Sequence, residues 1–242
     1  MIFKNLDEIT NKNSPVIIIG SGPAGISIAL ELEKKKIKTL IVEAGSQKVS
    51  DFSQKYYEGK VIGDRYVDLS TARLRQFGGT SGHWGGNCRP LDKYDFLNWP
   101  IKKNDLDNYL LETKKFLNIK NDFIKKKFNE NYDYVNFLWS NLRIADNFFY
   151  HIKKSKYINL ALNSSFIKFN GKYNSIESID CFDNNLINLK AKIYVLACGG
   201  IENSRLMLWS KEKNKTLFNY KLPVGKYYMN HPYYSIGEGL IV

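Results

Sequence analysis

The sequence predicts an α/β fold built around a parallel sheet. Three observations predict it. A short β-branched run, Pro15-Val16-Ile17-Ile18-Ile19, ends directly in a glycine-rich turn. That turn opens a segment with apolar residues at helical spacing, followed by a second apolar strand, Lys38 to Glu43. A third such strand, Ala191 to Ala197, recurs near the end and again runs into glycines. Strands apolar on both faces suit a sheet covered by helices on each side, and strand–helix–strand is the repeating unit of such sheets.

The first unit carries the most position-specific physics. After the strand comes Gly20-Ser21-Gly22-Pro23-Ala24-Gly25, a G-x-G-x-x-G pattern. Gly20 allows the tight turn, Gly22 lets backbone approach a pyrophosphate, and Gly25 lets helix pack closely on strand. The helix N-terminus then offers N–H groups and a positive dipole end to phosphates. Ile26, Ala29, Leu30 and Leu32 mark the helix, and Lys34-Lys35-Lys36 suits its C-terminal end. Glu43 stands 18 residues after Gly25, at the end of the second strand, with Ala44 behind it. A carboxylate there accepts from ribose hydroxyls and repels a 2′-phosphate, so a dinucleotide site is expected and NADP is disfavoured. This unit by itself does not choose FAD over NAD.

The bulk composition bounds the rest. The chain has 242 residues, 43% hydrophobic and 25% charged, enough for a packed core of one large domain or one and a part. The net charge is +12, but thirty of the 36 basic residues are Lys, scattered in short runs. Arg dominates base readout and phosphate clamping, so this pattern reads as a solvated lysine surface and argues against nucleic-acid binding. Cys88, Cys181 and Cys198 have neither disulfide-framework nor zinc spacing. The N-terminal residues lack the apolar core of a signal peptide, and no apolar run is long enough for a bilayer. A cytoplasmic location is the expectation.

A second glycine cluster, Arg73-Leu74-Arg75-Gln76-Phe77-Gly78-Gly79-Thr80-Ser81-Gly82-His83-Trp84-Gly85-Gly86, is too glycine-rich for a helix interior or a plain strand. Its amides and hydroxyls can line a ligand. With the GSGPAG turn and Glu43-Ala44-Gly45, this loop resembles the glucose–methanol–choline (GMC) oxidoreductase family. Asn98-Trp99-Pro100-Ile101 and Ala197-Cys198-Gly199-Gly200-Ile201-Glu202-Asn203-Ser204-Arg205-Leu206 add to the resemblance, which covers essentially the whole chain. Val224-Gly225-Lys226 and Asn230-His231-Pro232 follow it less closely, with Lys and Asn as departures.

The resemblance implies FAD as cofactor and an alcohol or sugar as small-molecule substrate, oxidised at a CH–OH group. It implies that Arg75, Gly78, Gly79, Thr80 and Ser81 hold phosphates and flavin, and that Trp84, Gly85 and Gly86 lie near the flavin ring. It places Phe166 against the adenine through its backbone, and Ala197, Cys198 and Gly199 in the returning strand–glycine–helix element. His83 falls where the pyranose-oxidase branch links FAD covalently. Three readings of it stay open: a covalent bond, a non-covalent flavin contact, or a loop histidine bonded to backbone. His231 is read as positioning the chain near the flavin, and His151 as a core or surface residue. The family's catalytic histidine and its His or Asn partner lie in a C-terminal half, and family members are about twice as long. This chain is therefore expected to be a truncated cofactor-holding portion without a catalytic base. A non-catalytic FAD-binding module completed by another chain, and a different FAD-dependent enzyme, are the alternatives. An electron-acceptor subunit is compatible with any of them.

The expected organisation is a Rossmann-like FAD-binding fold with a parallel sheet, a β-meander and a partial helical cap. Residues 1–100 would carry the βαβ unit and flavin loop, 101–155 a partial helical substrate or cap region, and 156–242 the second part of the FAD-binding fold. Asn104 would cap a helix to about Leu117, with Leu106, Tyr109, Leu110 and Phe116 as its apolar face. Residues 120–150 would be partly helical. The β-prone runs Ile158 to Leu162, Phe166 to Phe169 and Ile176 to Phe182 would form the meander.

Overall fold

The computed structural model describes residues 1–64, 66–173, 175–218 and 221–230. In chain order the strands are β1 (Ile2–Phe3), β2 (Val16–Ile19), β3 (Thr39–Val42), β4 (Asn87–Cys88), β5 (Lys125–Lys127), β6 (Asp133–Val135), β7 (Leu138–Trp139), β8 (Ile158–Ala161), β9 (Ser165–Lys172), β10 (Ser175–Asp183), β11 (Asn185–Leu189) and β12 (Ile193–Leu196). The helices are α1 (Pro23–Lys34), α2 (Asp51–Gln54), α3 (Lys103–Asp107), α4 (Leu110–Phe116), α5 (Ile144–Lys154) and α6 (Gly200–Lys213). The result is a Rossmann-like α/β fold.

Five strands form a sheet in the order β1-β8-β3-β2-β12, and every neighbouring pair is parallel. Alternation along β2 divides the core. Ile17 and Ile19 face a cluster with Leu40, Phe166, Phe169, Ile179 and Leu206, under the meander and α6. Val16 and Ile18 face Ile26 and Ala29 of α1, with Phe77, Ile144 and Ile152. The apolar run that predicted a doubly buried strand is thus satisfied on both faces. From β2 the chain moves through α1 to β3 on one side, and much later β12 joins β2 on the other. Ligand crevices of open α/β sheets lie at such a switch point, outside the carboxyl ends of the strands.

Three local expectations are corrected. Ile158 to Leu162 supplies β8 of the parallel sheet, not a meander strand, because it is buried on both faces between β1 and β3. The antiparallel meander is β9-β10-β11. The helix foreseen from Asn104 to Leu117 is two pieces, α3 and α4. Asp105 accepts from the Lys102 N–H at the first entry, and Leu106 and Tyr109 are exposed, so no surface buries a continuous apolar face. Phe116 alone of that face stacks on an aromatic, Phe148 of α5. Residues 120–150 hold β5, β6 and β7 before α5. Asn136 fixes the turn there, accepting from Ile124 N and donating to Asp122 O. α5 itself packs on the sheet through Ile144 and Ile152. No described helix is long and apolar enough to cross a membrane.

Candidate FAD site

The carboxyl ends of β2, β3 and β12 open onto one cavity of about 1080 Å³. That is at the upper end of the usual range for small-molecule pockets, as a dinucleotide requires. Its wall joins segments far apart in sequence: Gly20 to Ala24, Glu43 and Ala44, Arg73 to Gln76, Gly79 and Thr80, Ser165 and Phe166, and Ala197 to Glu202.

The glycine turn is built as its residue types demand. Gly20 has φ +99°, and a side chain there would drive a Cβ to 2.6 Å from the Ala197 carbonyl oxygen. At Gly25 a Cβ would sit 2.1 Å from the Gly20 carbonyl oxygen, so α1 could not approach the turn. Gly22 differs: a Cβ there meets nothing within 4 Å. Its face opens into the cavity at the N-cap of α1, where no side chain caps the helix. An uncapped helix N-terminus beside open space suits an anionic group.

Glu43 is buried. Its Oε2 accepts from Ser21 N at 3.0 Å and Ser21 Oγ at 2.7 Å, and its Oε1 accepts from Gly45 N at 2.7 Å. Burial pushes its pKa above the usual carboxylate value, and the hydrogen bonds and the Arg75 charge only partly oppose this. A carboxylate takes about four donors, so after three it still has a position for a ribose hydroxyl. The Glu43 end of the cavity also holds Arg75. Its guanidinium donates to Ala44 O (3.1 Å), Ser53 Oγ (2.7 Å) and Ser165 Oγ (2.7 Å). It lies 4.7 Å from the centroid of the Tyr56 ring.

The two glycine clusters meet. Ser21 Oγ accepts from Gly78 N at 3.3 Å, and a Cβ on Gly79 would lie 3.5 Å from the Gly22 Cα. Gly78 and Gly79 both have positive φ, which starts the 3₁₀ turn from Gly79 to Gly82. Beyond Thr80 the loop leaves the described cavity wall. Ser81 is buried, donating to Gly78 O at 2.7 Å and accepting from Ile144 N at 3.4 Å. Trp84 donates its indole N–H to Leu142 O at 2.8 Å and packs beside the core. His83 and Gly85 are exposed, and a Cβ on Gly86 would strike Ser140 O at 2.3 Å. Gly25, Gly78, Ser81, His83, Trp84, Gly85 and Gly86 therefore line no described part of the cavity.

Cys198 lines it, with Sγ 3.1 Å from Ile19 O, and burial pushes its thiol up to about 12. Gly199 has φ +84° and, like Gly200, open space where a Cβ would be. Among the described residues no histidine lines the cavity. His151 pairs with Glu33, remote from it, and His231 lies outside the described residues. Sequence reasoning missed the ion cluster on the wall, Arg73, Glu202 and Arg205. Burial raises Glu202's pKa, but the hydrogen bonds and charges of Arg205 and Arg73 outweigh it and hold the carboxyl below its ordinary value. The i, i+3 spacing of Glu202 and Arg205 on a helix was the available signal; the partnership with Arg73 had none.

An FAD binding domain family matches residues 13–69, the stretch that supplies the glycine turn, Glu43 and the following segment. The cofactor is FAD. The glycine cradle, the uncapped α1 terminus and the size of the cavity fit it. No curated protein matches the chain. Among solved structures, the fold is similar to pyridoxine 4-oxidase from Mesorbium loti, with TM-score 0.51 and 15% identity, covering 80% of this chain and 51% of that one. It is also similar to formate oxidase, with TM-score 0.55 and 15% identity, covering 80% and 47%. At that identity the likeness is one of fold. The chain spans about half the length of these proteins.

Proposed function

We propose that the chain is the cofactor-holding part of an FAD-dependent oxidoreductase of GMC type, acting on a CH–OH group of an alcohol or sugar. The single observation that carries this is the meeting of the two glycine clusters, by the Gly78 N bond to Ser21 and the approach of Gly79 to Gly22, beside a cavity that Ser21, Gly22 and Gly79 line at the sheet's switch point. The two solved oxidases of similar fold support it. When bound, FAD supplies the hydride acceptor. The chain's own residues bind and orient: the α1 N-terminus and Gly22 would face the pyrophosphate, Glu43 the ribose, and Phe166 the adenine. Ser81, with its hydroxyl tied to Gly78 and Ile144, would act by holding the loop's shape. Trp84, tied to Leu142 O, would likewise hold the loop's shape, with His83 on the loop's exposed side.

The proton of the substrate hydroxyl needs a base, and no described histidine of this chain lines the cavity. We assign that base to further polypeptide, whether a continuation of the chain or a partner, and leave the electron acceptor outside it as well. The same observation favours a second reading, a FAD-holding module without turnover of its own. Anaerobic mixing of the FAD-loaded protein with a panel of sugars and alcohols tests the two. Bleaching of the flavin absorbance by one of them, in the longest natural gene product, supports the oxidoreductase. Bleaching by NADH alone favours a different FAD enzyme, and no bleaching favours the module.

A further inference from the structure

One largely shielded ion pair joins two segments of the FAD cavity's wall. Arg73 Nη1 lies 2.9 Å from Glu202 Oε1, with the two side chains 15% and 9% exposed, so water screens the pair poorly. The other donors of Arg73 gather its own segment: Nε donates to Leu69 O at 3.1 Å and Nη2 to Tyr57 O at 3.4 Å. The guanidinium carbon also sits 4.2 Å from the centroid of the Tyr57 ring. Glu202 stands in the first turn of α6, and its Oε2 is held by Arg205 Nη2 at 2.7 Å. Arg73 thus ties together the two ends of the 55–73 segment, and Glu202 fixes both to the helix that follows β12. At the outer rim the hydroxyls of Tyr66 and Tyr228 lie 2.9 Å apart. Tyr57, Tyr66 and Arg73 line the cavity together with Gly199, Gly200 and Glu202.

We propose that the Arg73–Glu202 pair is a latch that holds the 55–73 segment against α6 and sets how slowly FAD leaves. Both are positioning residues, and the proposal rests on the assignment of FAD to this cavity. A dinucleotide seated between two walls leaves when they part, so a charge-assisted contact joining the walls slows the dissociation. A charge-assisted hydrogen bond shielded from water corresponds to roughly a ten- to hundredfold effect. Arg73 meets Tyr57 and Leu69 whether or not Glu202 is charged, so losing the Glu202 charge should free the wall without dismantling it.

The test is release of FAD from the loaded full chain, followed by flavin fluorescence after mixing with excess competing FAD analogue. Glu202→Gln should raise the dissociation rate roughly tenfold or more and change the association rate by less than about twofold. Trypsin should cut faster after exposed Lys60, within the released segment. Arg73→Lys, which keeps a charge and loses the fork, should show a smaller rise and serves if Glu202→Gln does not fold. A dissociation rate within about twofold of wild type in a folded variant overturns the latch, whether or not Lys60 is cut faster. A raised rate accompanied by slower association and an altered circular dichroism spectrum of the FAD-free protein also overturns it, since general loosening then suffices. A wild-type chain that holds no FAD would instead refute the cofactor assignment beneath it.

Discussion

Ser21 and Glu43, 22 residues apart, are joined by two hydrogen bonds to one carboxylate oxygen, at 3.0 Å from the serine amide and 2.7 Å from its hydroxyl. The pair locks the turn after β2 to the end of β3, and the same hydroxyl accepts from Gly78 N of the second glycine cluster. Glu43→Ala would leave Ser21 N, Ser21 Oγ and Gly45 N without their acceptor in a buried place. A loss of about 2 to 3 kcal/mol in unfolding free energy is expected from unmet buried donors, together with loss of FAD. Urea unfolding of FAD-free protein measures the first part. Ser21→Ala should cost less, about 1 kcal/mol, because the backbone bond remains.

Acid should find Glu202. Its carboxyl is held below the ordinary value of 4.5 in the folded protein. A depressed carboxyl contributes stability that is present above the unfolded value and lost as pH falls through the folded one. Wild type should therefore lose stability below about pH 4.5 more steeply than Glu202→Gln does, in melting experiments across pH 3 to 7. Parallel curves would show that Glu202 is not the titrating group.

Cysteine chemistry should be uneven. Burial first, then the nearby acidic groups, push Cys181 and Cys198 up to about 12 each, while Cys88 is less buried and only raised. The thiolate is the reactive form. At pH 8 a thiol reagent should label Cys88 first in the folded protein, reach the half-buried Cys198 on the cavity wall more slowly, and reach Cys181 only after unfolding. The sign for stability follows: raised thiols keep their contribution below the unfolded value and lose it as pH climbs from about 9 toward 12. Labelling of Cys181 as fast as Cys88 in native protein would contradict its burial.

The His83 side chain is exposed and away from the described cavity wall. Acid precipitation of FAD-loaded protein should therefore leave all flavin in the supernatant. Yellow, flavin-bearing pellet that turns colourless in His83→Ala would establish the covalent link instead.

Much of this arrangement was legible in the sequence because its causes are local. A β-branched run followed by glycines at fixed spacing dictates strand, turn and helix, and Gly20 and Gly25 occupy the positions that no side chain could fill. Glu43 directly follows β3, but its three bonds to Ser21 and Gly45 are tertiary facts that spacing does not encode. β8 was misread as meander because a short apolar run looks alike in either sheet; its neighbours β1 and β3 decide the matter. The α3–α4 break went unseen because periodicity cannot tell whether a surface exists to cover Leu106 and Tyr109, which stay exposed. Arg73 and Glu202 escaped for the same reason: 129 residues separate them, and only the fold brings them together.

Gly22 would face the bound pyrophosphate, and a comparison with Gly25 tests that most directly. A Cβ at Gly22 meets nothing within 4 Å, whereas one at Gly25 would sit 2.1 Å from the Gly20 carbonyl oxygen. FAD titration of wild type, Gly22→Val and Gly25→Val, with circular dichroism and melting of each FAD-free protein, separates ligand space from packing space. One FAD per wild-type chain is expected, none in Gly22→Val with its FAD-free fold and melting point unchanged, and a damaged fold in Gly25→Val. A folded Gly22→Val protein that keeps its FAD would contradict the site.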